Sequence, residues 1–277
     1  MDEQRHEGYA EINGGKLYYE VAGQGHPLVL LHGGLVDSQL WDPQFEVFAQ
    51  QYRVLRYDLR GYGRSGGPAG AYSHVEDLRA LLTLLGMECA HVLGLSLSGS
   101  VALEFTLTYP TVVSSLTVTG SGLPGHPYEE RDDPVSQRLN AQFAAEEEAL
   151  QRGDVAEAVE LSLQLWTDGP YRIPAEVDPG VRAKVREMTT SLYSRGEPAS
   201  PQWLNPPAAT RLSEIRCPVL IIVGDQDQPE MLEVADALEA GIAGACKAVL
   251  RGAAHHPNLE KPEEFNRLVL GFLAEQS

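Results

Sequence analysis

"HVLGLSLSGSVAL", His91 to Leu103, carries serines at three alternate positions, Ser96, Ser98 and Ser100. The residues before them form an apolar run, and those after, "GSVALEFTLTYP", are patterned as a helix. A strand that turns at once into a helix holds its corner residue in a strained conformation. The backbones two positions to either side nearly touch, so small residues are needed there. Ser96 has Gly94 and Ser98 in those places, whereas Ser98 and Ser100 would already lie inside the helix. Ser96 is therefore the candidate nucleophile, and Ser98 adds a hydroxymethyl group at a tight contact.

A serine hydroxyl needs a base, a group that orients the base, and donors for the developing oxyanion. The donors are expected at "PLVLLHGGLVDSQLWD", an apolar strand ending in His32-Gly33-Gly34. Consecutive glycines let the backbone approach a ligand and aim N–H groups at it. Gly34 N–H and Leu97 N–H, at the start of the helix after Ser96, would form the hole. His32 sits in the turn and is expected to hydrogen-bond structurally. The acid is sought after "PVLIIVG", in "GDQDQP". There Asp225 is expected to turn the loop and Asp227, further out, to face a neighbouring loop. The base is sought in "VLRGAAHHPNLEKPEEF", where the adjacent His255 and His256 cannot both face one site. His255 stands three residues after Gly252, and His256 is expected to pack or face solvent. All four parts follow predicted strands, where open α/β sheets place their sites.

The strands expected are 16–21, 27–33, 52–58, 90–95, 114–120, 217–224 and 246–252. Several are continuous apolar runs, as in strands buried on both faces. Helical patterns alternate with them. "HVEDLRALLTLLG" repeats leucine at helical spacing and closes at Gly86, and "PEEFNRLVLGFLAEQ" opens at Pro262. The fold class is therefore α/β, a mostly parallel central sheet flanked by helices. Strand rhythm is lost over 121–212, a helical stretch between "SGLPGHP" and "NPPAAT". Residues 1–120 and 213–277 are expected to form the core, with 121–212 inserted as a helical cap.

Taken together, "HGG", "GLSLSG", "YDLRGYGRSGG", "GDQD" and "GAAHHPNLEKPEEF" resemble the α/β-hydrolase fold family over nearly the whole chain. The likeness is strongest to small, lidded, cofactor-free hydrolases: carboxylesterases, enol-lactonases and C–C bond hydrolases. It implies Ser96 as nucleophile, Asp227 as acid, His255 as base, Gly34 and Leu97 as oxyanion donors, and no cofactor. The pattern departs at Ser98, which replaces the second glycine of Gly-x-Ser-x-Gly. Haloalkane dehalogenases and epoxide hydrolases use an aspartate where this chain has Ser96. The reading is a serine hydrolase of a small, mainly apolar ester or lactone, with Phe143, Leu165, Trp166 and Tyr171 as cap residues lining its pocket. C–C hydrolysis or perhydrolysis would use the same triad, and a ligand-binding receptor on the same fold is the non-enzymatic alternative.

Bulk properties narrow the partners. Of 277 residues, 39 are acidic and 21 are Lys or Arg, a net charge of −18. Such a surface repels phosphate backbones and anionic lipid, so neither nucleic acid nor membrane is expected, only a small-molecule substrate. A monomer or homodimer is expected. Cys89, Cys217 and Cys246 lack the spacing of metal ligands, and Cys217 and Cys246 read as small buried hydrophobes beside strands. The opening "MDEQRHEGYA" has neither a basic start nor an apolar core, which leaves a cytoplasmic protein as the expectation.

Overall fold

Strands that read as unbroken apolar runs lie at the centre of one sheet. The computed structural model describes residues 5–67, 70–129, 131–196 and 198–276. Its strands are β1 (Arg5–Ile12), β2 (Gly15–Ala22), β3 (Pro27–Leu31), β4 (Arg53–Tyr57), β5 (Ala90–Leu95), β6 (Val113–Thr119), β7 (Val219–Gly224) and β8 (Cys246–Leu250). They form one sheet in the order β1-β2-β4-β3-β5-β6-β7-β8. The pairs β1–β2 and β2–β4 are antiparallel, and the five pairs from β4 through β8 are parallel. Every residue of β5 and β7 is buried, because helices cover both faces of the sheet there.

Helices His74–Leu84, Leu97–Thr108, Pro229–Gly241 and Pro262–Ala274 connect or close the parallel strands. Ser73 caps the first through the Glu76 N–H, and Gly86, at φ 65°, takes the left-handed turn just beyond it. The last helix buries Phe265, Val269 and Leu273 at spacings of four residues.

Between β6 and β7 the described residues contain no strand. Helices Pro134–Arg152, Val155–Ser162 and Pro179–Arg195 lie there, with a π-helical turn over Leu163–Asp168. Asp133, Asp154 and Asp178 cap the three helices through their side chains. Lys184 pairs with Asp42, and the Thr189 hydroxyl donates to the Leu35 carbonyl, so this layer is tied to the loop after β3.

Two features differ from the sequence reading. Strand β1 was not expected, since its alternation of exposed and buried residues is that of a polar edge strand. Cys246 is exposed and Cys217 only half-buried, contrary to the expectation that both are buried. Cys246 opens β8, the opposite edge of the sheet, where one side of the strand meets solvent. Among the described residues no helix is long and apolar enough to cross a membrane.

Candidate active site

Ser96 occupies the corner between β5 and the helix Leu97–Thr108, with φ 57° and ψ −117°. A non-glycine residue in this region is strained, and the strain is held by fixed neighbours. The Ser96 N–H donates to the Thr119 carbonyl at 2.9 Å on the adjacent strand β6. Gly94 is required two residues earlier, because a Cβ there would lie 2.1 Å from the Ser98 carbonyl oxygen. The side chain of Ser98 is accommodated: it is buried, and its hydroxyl donates to the His32 carbonyl at 2.5 Å. The next residue is the one that must stay bare. A Cβ on Gly99 would sit 2.2 Å from Ser121 Oγ.

The His32 imidazole fixes the glycine turn after β3. Its Nε2 accepts the Leu59 N–H at 2.9 Å, so Nδ1 carries the proton and donates to the Gly33 carbonyl at 2.8 Å. Burial lowers its pKa and keeps it neutral, as a structural donor and acceptor. Gly34 lies against Leu97: a Cβ on Gly34 would be 3.4 Å from Leu97 Cβ. Leu97 is the first residue of its helix, so its N–H has no partner within the helix.

Asp227 and His255 meet at the carboxyl ends of β7 and β8. Both carboxylate oxygens approach His255 Nδ1, at 3.0 and 3.1 Å, and both side chains are buried. Asp227 Oδ1 also accepts the Gln228 N–H at 2.8 Å, which orients the carboxylate. Gly120, at φ 49°, leaves room for the pair. A Cβ there would lie 3.1 Å from His255 Nδ1 and 3.2 Å from Asp227 Oδ2. Asp225 points elsewhere: its Oδ1 accepts the Gly252 N–H at 2.6 Å and joins the two loops. His256 is buried beside His255, and burial pushes its pKa down to about 3.

Ser96, Leu97, Gly34 and His255 all open on one cavity of about 640 Å³. The Ser96 hydroxyl makes no hydrogen bond to the imidazole as the site stands. Of the four cap residues expected to line the cavity, Phe143 and Trp166 do so. Leu165 does not: it is fully buried in the protein's core. Nor does Tyr171, which lies beyond Gly169 on an exposed turn. Adjacent residues of a helical turn point to different sides, so with Trp166 facing the cavity Leu165 turns into the core. Tyr62, Glu146, Glu147 and Tyr193 also line the cavity and were not anticipated. Glu146 had a readable signal, standing on the same helical face as Leu139, Phe143 and Leu150. Among the described residues no three His, Cys, Asp or Glu side chains converge as metal ligands would.

Comparison with known proteins agrees with this architecture. The family model of the alpha/beta hydrolase family matches residues 28–268. A pimeloyl-acyl-carrier protein methyl ester esterase of Aliivibrio salmonicida is 28% identical over 90% of this chain and 92% of its own length. The (E)-2-((N-methylformamido)methylene)succinate hydrolase of Acinetobacter baylyi is 26% identical over 94% of this chain and 95% of its own. Among solved structures, Est816, described as an N-acyl homoserine lactone degrading enzyme, superimposes with a TM-score of 0.74 at 26% identity, covering 96% of this chain and all of that one. The matched segment runs from β3 into the closing helix, through every strand that bears the candidate site, and the chain belongs to the alpha/beta hydrolase family.

Proposed function

We propose that this chain is a serine hydrolase of a small carboxylic ester or lactone, with Ser96 as nucleophile, His255 as base and Asp227 as the acid that orients it. The observation that carries the reading is the buried Asp227–His255 pair opening on the same cavity as the strained Ser96 corner. Ser96 Oγ attacks the substrate carbonyl while His255 Nε2 takes its proton. Asp227 holds the Nδ1–H and stabilises the imidazolium that forms. The N–H groups of Gly34 and Leu97 receive the oxyanion, each worth about 3–4 kcal/mol of barrier. His255 then protonates the leaving alcohol, and water resolves the acyl-enzyme by the reverse path. Residues 121–212 act as the cap, contributing Phe143 and Trp166 to the wall that faces Ser96.

The cavity wall contains no Lys or Arg among the described residues. It therefore has no cation to receive a carboxylate such as the one in the named succinate of the Acinetobacter relative, which favours a substrate that is not an acid. The test is reaction with a fluorophosphonate followed by peptide mapping, with hydrolysis of short phenyl esters measured in parallel. The adduct is expected on Ser96, and Ser96→Ala is expected to abolish turnover while the protein stays folded. An adduct on Ser98 or Ser100, or undiminished turnover by that variant, would overturn the assignment.

A further inference from the structure

We propose that the substrate of this site carries a positively charged nitrogen at the end away from the scissile carbonyl, held by Glu146, Glu147 and the aromatic rings lining the cavity. The inference rests on the Ser96 hydrolase reading for the position of the carbonyl, and it names the chemistry of the other end.

Three independent observations support it. Tyr62, Phe143, Trp166 and Tyr193 all face the cavity, and Phe143 stands edge-on to Trp166 with ring centroids 5.8 Å apart. Aromatic faces attract cations through their quadrupole, most strongly where water is excluded. Two carboxylates of the helix Pro134–Arg152 line the same cavity. Glu146 is buried and fixed by the Tyr193 hydroxyl, which donates to it at 2.6 Å, and Glu147 follows it on the more exposed side. The basic side chains of the wall do not offset them. His255 is paired with Asp227, and His256 is kept uncharged by burial. A cation would thus meet rings and carboxylates together, whereas an anion would be desolvated beside like charges. The chain's net charge of −18 acts in the same sense, drawing cations toward a cleft with low-dielectric walls.

Three phenyl esters of one chain length test this, ending in trimethylammonium, in its neutral isostere tert-butyl, or in carboxylate. Binding is measured by calorimetry to Ser96→Ala, which leaves the esters intact, and turnover is measured with the unaltered protein. The ammonium ester is expected to bind at least about tenfold more tightly than the carboxylate ester, with the tert-butyl ester between them. Glu147→Gln, made in the Ser96→Ala background, is expected to narrow the ammonium-to-tert-butyl ratio about threefold, and Glu146→Gln more. Glu147 is exposed on its helix, so its variant remains informative should Glu146→Gln disturb the fold. Binding of the carboxylate ester as tight as that of the ammonium ester would overturn the proposal. So would an ammonium preference unchanged in both glutamine variants. Failure of the unaltered protein to cleave any of the three esters would instead count against the hydrolase reading, since binding to Ser96→Ala reads charge selectivity without turnover.

Discussion

Trp166 rests against His255, with ring centroids 4.5 Å apart, and its carbonyl accepts the His255 backbone N–H at 3.3 Å. One residue of the π-helical turn thus supports both the ring and the main chain of the candidate base. Trp166→Ala removes the ring that limits the imidazole's tilt. Misplacement of a reacting group by an ångström costs on the order of a hundredfold in rate. The variant is expected to lower kcat for a phenyl ester by about 10- to 100-fold, with Trp166→Phe recovering most of it. Wild-type kcat in the alanine variant would show that the ring contact contributes nothing to rate.

Gly120 lies beneath the Asp227–His255 contact. Gly120→Ala would place a methyl group 3.1 Å from His255 Nδ1, at a residue whose φ is already 49°. The left-handed backbone alone costs about 1–2 kcal/mol for a residue with a Cβ. The methyl also forces the pair apart. The variant is expected to stay folded with a lowered melting temperature and to turn over a phenyl ester far more slowly than the unaltered protein. Full activity would mean that the pair tolerates displacement.

Arg172 joins the π-helical turn to the loop that carries His255. It donates to the Thr167, Asp168 and Gly252 carbonyls and to Glu260, at 2.7 to 2.9 Å. Glu260 in turn accepts the Ala254 N–H at 2.8 Å. Removing the guanidinium leaves a buried carboxylate without its cation, a loss of about 3–5 kcal/mol. Burial already raises the Glu260 pKa, and Arg172 opposes that rise. A raised carboxyl adds stability below its unfolded pKa and loses it as pH rises through the folded value. Arg172→Ala raises it further, so the variant's deficit should be larger at about pH 8 than at about pH 5. Urea midpoints at the two values measure this, and an equal deficit at both would exclude Glu260 as its source.

Ser98→Gly restores the second glycine of the Gly-x-Ser-x-Gly pattern. It also removes the hydroxyl bonded to the His32 carbonyl and places a second glycine beside Gly99 in the helix. A lost buried hydrogen bond and a helical glycine together cost about 1.5–2.5 kcal/mol. Denaturation should show that loss, with kcat/KM retained within a fewfold. A more stable glycine variant would mean that the Ser98 side chain is crowded rather than bonded.

The central strands were legible because burial on both faces leaves an unbroken apolar run, as in "PVLIIVG". Edge strands carry no such mark. In β1, Arg5, Glu7 and Tyr18 of its neighbour meet solvent or one another, and the exposed end of β8 explains the position of Cys246. At the candidate site, the segments could be read because each is a strand whose carboxyl end leads within a few residues to a chemically capable one. The wall of the cavity was less readable. The π-helical turn shifts the register between Leu165 and Trp166, and no regular periodicity foretells which of the two turns inward. Glutamates such as Glu146 are ordinarily solvated, so only its place on an apolar helical face distinguishes it.

The corner at residue 96 also restricts which side chains this scaffold can carry there. With φ at 57°, the backbone crowds a second heavy atom on Cβ, so threonine is excluded while unbranched serine, cysteine or aspartate still fits. Changes at this corner are thereby confined to the group that Cβ bears, hydroxyl, thiol or carboxylate, on an unaltered main chain.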